Sequence, residues 1–395
     1  MTTSFASGDF WGGDPHAALA RFRRHDPVPF DESAGVWGIT RYDDVKAIST
    51  QPALFSNAGG IRPDTGPIPM MIDMDDPDHL RRRKLVNKGF TPQRVRDQRE
   101  RVREVVDRLV DSVSEAGRCD LVADIAAWLP LVMIGDALGV ASDDHATLLR
   151  WSDDLMRGQG TGDEALVMAM IAAFEGYSEY ITEVIADRRS CPRDDLMSIL
   201  CHAEVDGDRL DDDEILHESL LILIGGDETT RHVITGGLYQ LLAGDRSGWE
   251  QLQADRSLLP SAVEESLRWV TPIKNMARTA TQDVELHGKT IRSGQKLLLL
   301  YPSANRDEDH FADPDVFDIR RTPNDHVAFG FGSHFCLGAS LARLELEVAF
   351  ETLLDRLPDL RLAEEGEPAN RPANFVSGYE SMSVAFTPTA RSSQP

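Results

Sequence analysis

The sequence predicts a mainly α protein: one large helical domain carrying a smaller β-rich portion. Three observations lead there. Apolar patterns of helical period fill Gln93 to Ala243, with short breaks at Gly117, Pro130, Gly139, Gly158, Pro192 and Gly207. Strand-like alternation is confined to two parts, near residues 28–62 and 271–300. No internal repeat, linker or low-complexity block divides the 395 residues, so a single domain is expected, with a helical core near 76–269.

Composition excludes several function classes. A formal charge of −25 would repel a phosphate backbone, so nucleic acid is not a partner. The four cysteines, Cys119, Cys191, Cys201 and Cys336, show neither disulfide nor zinc spacing and suit a reducing cytosol. Met1 to Phe10 has no basic flank and no apolar run, and the runs Ser219 to Ile224 and Leu297 to Tyr301 are too short to span a bilayer. A cytoplasmic protein without stable membrane insertion is expected.

Taken in order, Gly35 to Thr40 reads as a strand, followed by a helix from Tyr42 towards Ser49. Asn57 to Pro77 is a Gly/Pro-rich loop that carries Ile61, Ile68, Met70, Met71, Ile72 and Met74. Loops of that length are usually functional or disordered, and this apolar content suggests the wall of an apolar pocket. Asp76 and Pro77 then look like the N-cap and first position of a helix. His79 and Arg83, four apart, share one face of it and can clamp a dianionic ligand. Arg81, Arg82 and Lys84 beside them form the densest basic patch of an acidic chain, which suggests a dock for an acidic partner.

Trp128 to Val140 is nearly apolar and expected to be buried, and Glu204 to Asp208 looks like a small hairpin turn. Asp211 and Glu214 read as a capping box at the start of a helix that is apolar almost all round from Leu216 to Ile224. Gly225-Gly226-Asp227-Glu228-Thr229-Thr230 then interrupts it. Two glycines, an acid pair and two threonines in a buried helix are costly. A kink that opens a groove for dioxygen and water, with Glu228 and Thr229 passing protons, would offset that cost. Glu265 and Arg268 lie three apart on a later helix. After Trp269 the segments Thr271 to Arg278, Asp283 to His287 and Thr290 to Leu300 turn and alternate like short strands.

The stretch Phe329-Gly-Phe-Gly-Ser-His-Phe-Cys-Leu-Gly338 places Cys336 between glycines, just before an apolar helical pattern. Unpaired N–H groups and the helix dipole at such a start favour thiolate over thiol. The glycines allow close approach to something large and flat, and Phe329 and Phe331 add apolar surface. A lone cysteine is most often a small buried hydrophobe. No third glycine completes a nucleotide loop, and no papain-like pattern surrounds the cysteine. A thiolate in a dry aromatic loop is what the axial ligand of an O–O-cleaving haem iron requires.

With its flanks included, Phe-x-x-Gly-x-x-x-Cys-x-Gly resembles the haem-binding loop of the cytochrome P450 superfamily. Gly225 to Thr230 resembles that family's oxygen-activation signature, and Glu265 to Arg268 its Glu-x-x-Arg element. The resemblance runs over essentially the whole chain and implies a haem-thiolate monooxygenase of the P450 fold, with O2 as co-substrate. It makes Cys336 the ligand of haem b (iron protoporphyrin IX), seated against Phe329 and Gly338. His79, Arg83, Arg278 and His334 would neutralise the haem propionates. Glu228 and Thr229 would deliver protons, and Glu265 and Arg268, with Arg321 as a third partner, would form a structural ion-pair network. Met71, Ile72, Gly225, Ile273, Met276, Phe375 and Val376 would line the substrate pocket, with residues 160–180 as its roof.

No flavin- or NAD-binding segment is apparent, so electrons would come from a ferredoxin and its reductase, docking at Arg81, Arg82, Lys84 and Arg343. Asn57 to Asp64, Pro69 to Pro77, Leu220 to His232 and Arg371 to Gly378 look closest to the actinobacterial steroid C26-monooxygenases of that superfamily. That likeness implies terminal hydroxylation of the cholesterol or cholest-4-en-3-one side chain, going on to the acid. A terpene, a polyketide or another steroid would keep every motif and change only the pocket. A non-catalytic haem-thiolate sensor would need the clamps, but not Glu228 and Thr229.

Overall fold

A computed structural model describes residues 4–159 and 161–391. The helix Asp212–Leu242 runs through its centre and is almost wholly buried beyond its first turn. Its start is the expected capping box: the Asp211 side chain accepts from Glu214 N, and the Glu214 side chain accepts from Asp211 N. Helices Trp128–Leu138, Leu259–Val270 and Ala339–Arg356 pack against it. Two of its glycines are needed for this closeness. A Cβ at Gly226 would lie 2.9 Å from Ile134, and one at Gly237 would lie 2.6 Å from Ser266. The main helical core gathers here, around Val102, Val106, Leu238, Trp249, Leu353 and Phe350.

The central helix runs on through the polar stretch Gly225–Thr230, which therefore does not end it. Its acids find partners one turn along the helix and on neighbouring elements. Asp227 accepts from Ser152 Oγ (2.8 Å) and Arg231 (2.9 Å), and Arg231 also reaches Asp153 (2.8 Å). Glu228 accepts from Arg371 (2.6 Å). The cost of burying these groups is therefore met in part by hydrogen bonds and ion pairs, with one oxygen of each acid left buried without a partner.

The two β-rich parts of the chain meet in one five-stranded sheet. Its order is Phe30–Asp31, Val36–Ile39, Lys296–Leu299, Met276–Ala280, Phe55–Ser56, with one parallel pair at its centre. The helix after the second strand spans Tyr42–Ser49, as the sequence suggests. Smaller sheets join Arg118–Asp120 to Ser383–Ala385 and Arg361–Leu362, and pair Val284–Leu286 with Lys289–Ile291. The turn at Glu204 to Asp208 closes through a Val205–Asp208 bridge, with both Asp206 and Gly207 at positive φ. Trp128–Leu138 is buried on most of its surface. The helix carrying His79 spans Asp78–Val86 and starts one residue later than expected. Pro77 is its N-cap, and the Asp76 carboxylate instead accepts from Leu80 N (3.2 Å). No described helix is long and apolar enough to cross a membrane.

A buried charge network ties the helical core to the segment that leads to Cys336. Glu265 and Arg268 are both fully buried and joined by two 2.8 Å hydrogen bonds. Arg268 also donates to the carbonyls of Asn305, Pro314 and Val316. Arg321 is the third partner, donating to Glu265 at 3.1 Å, and Asp318 N adds a 2.8 Å bond. Removing the carboxylate strands two cationic side chains. Glu265→Ala should lose about 3–5 kcal/mol of unfolding free energy in urea titration, the range for breaking one side of a buried pair. A loss below about 1 kcal/mol would mark the network as surface-like.

Candidate functional site

The cysteine loop is closed by a hydrogen bond from Cys336 N to Phe329 O (2.9 Å). Gly330 and Gly332 lie at φ 70° and 77°, and a Cβ at Gly332 would meet Ser49 O at 2.4 Å. Phe329 is clamped by Arg343, whose guanidinium sits 4.7 Å from its ring centroid. Arg343 is itself held by Glu264 at 2.6 and 2.9 Å. The helix after the loop begins at Ala339, so Cys336 sits just before its first turn. Gly338 and Ala339 N–H groups and the Arg83 and Arg343 charges favour thiolate, but burial outweighs them and pushes the Cys336 thiol up. The helix start alone does not make the thiolate; a cation at the sulfur would complete that task.

Cys336 opens onto a cavity with about 1430 Å³ of empty space, counting its open mouth. His79, Arg83, Arg278 and His334 all line it. The His79 and His334 rings stack at 3.9 Å. Arg83 donates to Phe335 O at 2.6 Å, and Arg278 to its neighbour Ala277 O at 2.8 Å. Neither guanidinium has a carboxylate partner within ion-pair distance among the described residues. Burial and neighbouring cations hold His334 down at about 3, and burial lowers His79, Arg83 and Arg278 as well. His79 Nε2 is buried without any partner. Four groups able to carry positive charge thus face one space; among the described residues the only carboxylate paired with any of them is Asp76, 3.2 Å from His79 Nδ1, and the one acidic lining residue is Glu345, so this end suits a dianion.

The same space has room for something flat. Gly225 on the central helix and Gly338 at the cysteine both line it, and a Cβ at either would meet no atom within 4 Å. Haem fits this donor set: one sulfur, a cationic end and an apolar slot. Among the described residues no cluster of three or more His, Cys, Asp or Glu side chains could hold a metal unaided. Sequence reasoning missed Tyr301, a buried cavity-lining hydroxyl beside Arg278. It also missed Glu345, a buried carboxyl pushed up to about 8 by burial and by Asp227. Tyr301 begins a short helix after a strand and Glu345 lies mid-helix, so neither has a local pattern that marks it.

The expected pocket residues divide. Met71, Ile72, Gly225, Ile273 and Met276 line the cavity, whereas Phe375 and Val376 do not. Val376 pairs with Ile273 in an isolated antiparallel bridge, and Phe375 lies under Arg62, whose guanidinium is 5.3 Å from its ring centroid. None of the described residues between 161 and 180 lines it either. Thr229 lines the cavity and donates to Gly225 O (2.7 Å). Glu228 is buried in its pair with Arg371 and does not reach the lining.

The basic dock expected at Arg81, Arg82, Lys84 and Arg343 is largely neutralised within the fold. Arg81 is bound by Asp208 and Glu214, Arg82 by Glu214 and Glu218, and Arg343 by Glu264. Lys84 is the one of the four left exposed.

Cys336→Ala should abolish the strongly red-shifted ferrous carbon monoxide band of thiolate-ligated haem. The double variant His79→Ala/Arg278→Ala should keep that band and lose haem to apomyoglobin at least about tenfold faster, as expected when charge-assisted bonds to a buried anion are removed. A red-shifted band in Cys336→Ala, or native haem retention in the double variant, would contradict the assignment.

Comparison with known proteins bears on the same site. Residues 163–380 match the family described as Cytochrome P450. The chain is 53% identical over 379 residues to a steroid C26-monooxygenase of Mycolicibacterium smegmatis, covering 96% of this chain and 94% of that one. It is 51% identical over 387 residues to a steroid C26-monooxygenase of Mycobacterium tuberculosis, covering 97% of each. It is also 38% identical to a methyl-branched lipid omega-hydroxylase of Mycobacterium bovis, covering 96% and 93%. Among solved structures, CYP109E1 of Bacillus megaterium in complex with corticosterone superposes with a TM-score of 0.87 at 34% identity, covering 95% of this chain and 98% of that one.

Proposed function

Because this chain belongs to the cytochrome P450 family and is a monooxygenase, we propose that it hydroxylates the terminal side-chain carbon (C26 or C27) of cholesterol or cholest-4-en-3-one. The full-length likeness to the two mycobacterial steroid C26-monooxygenases carries this reading. The cavity supports it: away from the cationic end, its wall is apolar, with Met71, Ile72, Phe90, Leu221, Ile222 and Ile273. A rigid hydrocarbon body with a flexible branched tail needs such a wall more than it needs polar contacts.

Haem b, bound through its iron, supplies dioxygen activation and the transfer of one oxygen atom into a C–H bond, the other leaving as water. Cys336 would hold the group, His79, Arg83, Arg278 and His334 would take its propionates, and the Tyr301 hydroxyl supports Arg278. The apolar wall excludes water and orients the sterol tail. A terminal methyl C–H bond is stronger than the neighbouring tertiary one, so the choice of carbon must come from positioning. Thr229 places a hydroxyl in the cavity for proton transfer. Glu228, next to it in sequence, is the acid that would supply this hydroxyl with protons once it swings out of its pair with Arg371. Arg371 bridges Glu228 and Glu380 at 2.6 and 2.9 Å, and Glu380 is about half exposed.

Electrons come from a ferredoxin served by its reductase. Its dock is the face around the cysteine loop, where Leu80 and Phe335 are 46% and 41% exposed beside Lys84 and Lys88. A methyl-branched fatty acid presents the same kind of branched tail. The likeness to a methyl-branched lipid omega-hydroxylase makes it the second reading.

Adding cholest-4-en-3-one to the ferric haem protein should displace axial water and shift the haem absorption band. A shift with methyl-branched fatty acid alone would move the assignment to that substrate. Thr229→Ala and Glu228→Gln should keep the sterol-induced shift but release more peroxide per electron pair. Native coupling in both would show that protons travel elsewhere.

A further inference from the structure

We infer that Glu218 and Arg82 position the substrate wall, and so help to select the carbon that is attacked. The selection of carbon rests on the sterol reading above; the positioning of the wall does not. Glu218 lies one turn past the capping box of the central helix and is fully buried. Its Oε1 accepts from Met71 N at 2.8 Å and from Arg82 Nη1 at 3.0 Å. Arg82 Nη1 also donates to Pro69 O at 2.8 Å. One ion pair thus grips the wall backbone on both sides of Met70. Met71 and Ile72, whose side chains line the cavity, leave directly from that grip.

The grip joins three elements with different tasks. Arg82 projects from the helix that carries His79 and Arg83, Glu218 from the helix that carries Thr229, and the backbone they hold belongs to the substrate wall. The far side of the wall is pinned separately: Asn57 donates to Ile72 O at 2.9 Å, and Asp73 accepts from Ile61 N and Ile68 N. The wall is therefore indexed against the cofactor clamp and the oxygen-activation helix together. A buried ion pair is seldom more stabilising than an apolar pair of the same volume. Here the carboxylate is also left with Oε2 buried and unpartnered. An arrangement that costs stability and places wall backbone atoms is explained by the placement. Displacing a reacting group by about 1 Å can cost roughly a hundredfold in rate, so a small slip at Met71 would change which methyl or methine is presented.

The test compares haem-loaded Glu218→Gln and Arg82→Lys with the native chain. Glu218→Gln keeps the side-chain length without the charge, Arg82→Lys keeps the charge on a side chain one atom shorter, and both should keep the thiolate band. Amide hydrogen exchange across residues 69–73 should speed up about tenfold or more as the local tether is lost. Among hydroxylated sterol products, the ratio of terminal to internal alcohol should fall about threefold or more, with KM rising more than kcat falls. Asp208→Asn, at the exposed outer end of the same arginine network, should leave both readouts native. Native exchange at 69–73 with a native product ratio, even in a less stable protein, would make the pair merely structural and overturn the inference. If the native chain binds no sterol, the substrate reading fails. The exchange comparison, together with the affinity for a bulky phenylimidazole, then still decides the positioning role.

Discussion

The buried carboxylate of Glu265 is what the site hangs from. It neutralises Arg268 and Arg321, and those two guanidiniums in turn bind the backbone carbonyls of the segment from Asn305 to Val316. Asn305 passes the constraint forward: it donates to Thr271 Oγ1 (2.8 Å) and accepts from Val327 N (2.8 Å). Val327 leads straight into Phe329 and the cysteine loop. An irregular chain segment of this length has few helical or sheet hydrogen bonds of its own. The arginines supply donors that its carbonyls would otherwise lack in the interior. The position of the sulfur therefore depends on an ion pair that never touches it.

Charge is distributed with the same logic elsewhere. The acidic chain satisfies almost all its buried arginines with carboxylates and withholds them at one place, the cavity end where Arg83, Arg278 and His334 gather beside His79. Burying cations without partners is unfavourable in the protein alone and becomes favourable when a dianion arrives. Folding and cofactor binding are coupled through that exchange, as expected for a site whose ligand binds the native state only. On the opposite wall the acids of the central helix are paired away from the cavity, Asp227 with Arg231 and Glu228 with Arg371, so the cavity receives threonines, Thr229 and Thr230, and no carboxylate from this stretch.

Local signals made much of this legible in the sequence. The capping box at Asp211, the strand at Val36 and the helix at Tyr42 are set by neighbours in sequence, and they appear where the pattern put them. The cysteine loop and the clamp pair are legible for the same reason: their chemistry needs fixed spacings. What misled was everything decided by a distant partner. The polar stretch at Gly225 to Thr230 looks unsatisfied until Ser152 and Arg371 are known to face it. Arg81 and Arg82 look like a docking patch until Glu214 and Glu218 close on them from the central helix. Phe375 and Val376 are absent from the cavity lining and pack against it through Ile273, which bridges Val376 across about a hundred residues of chain. Tyr301 and Glu345 reach the cavity only through tertiary packing.

The central claim is that a haem held by Cys336 inserts oxygen from O2 at the end of a sterol side chain. It is tested most directly by turnover of cholest-4-en-3-one with a ferredoxin and its reductase under isotopically labelled dioxygen. The account predicts an alcohol labelled at the terminal methyl carbon, with one labelled atom per molecule, and none from Cys336→Ala. Labelled oxygen on the steroid rings, or a terminal alcohol whose oxygen comes from water, would contradict it.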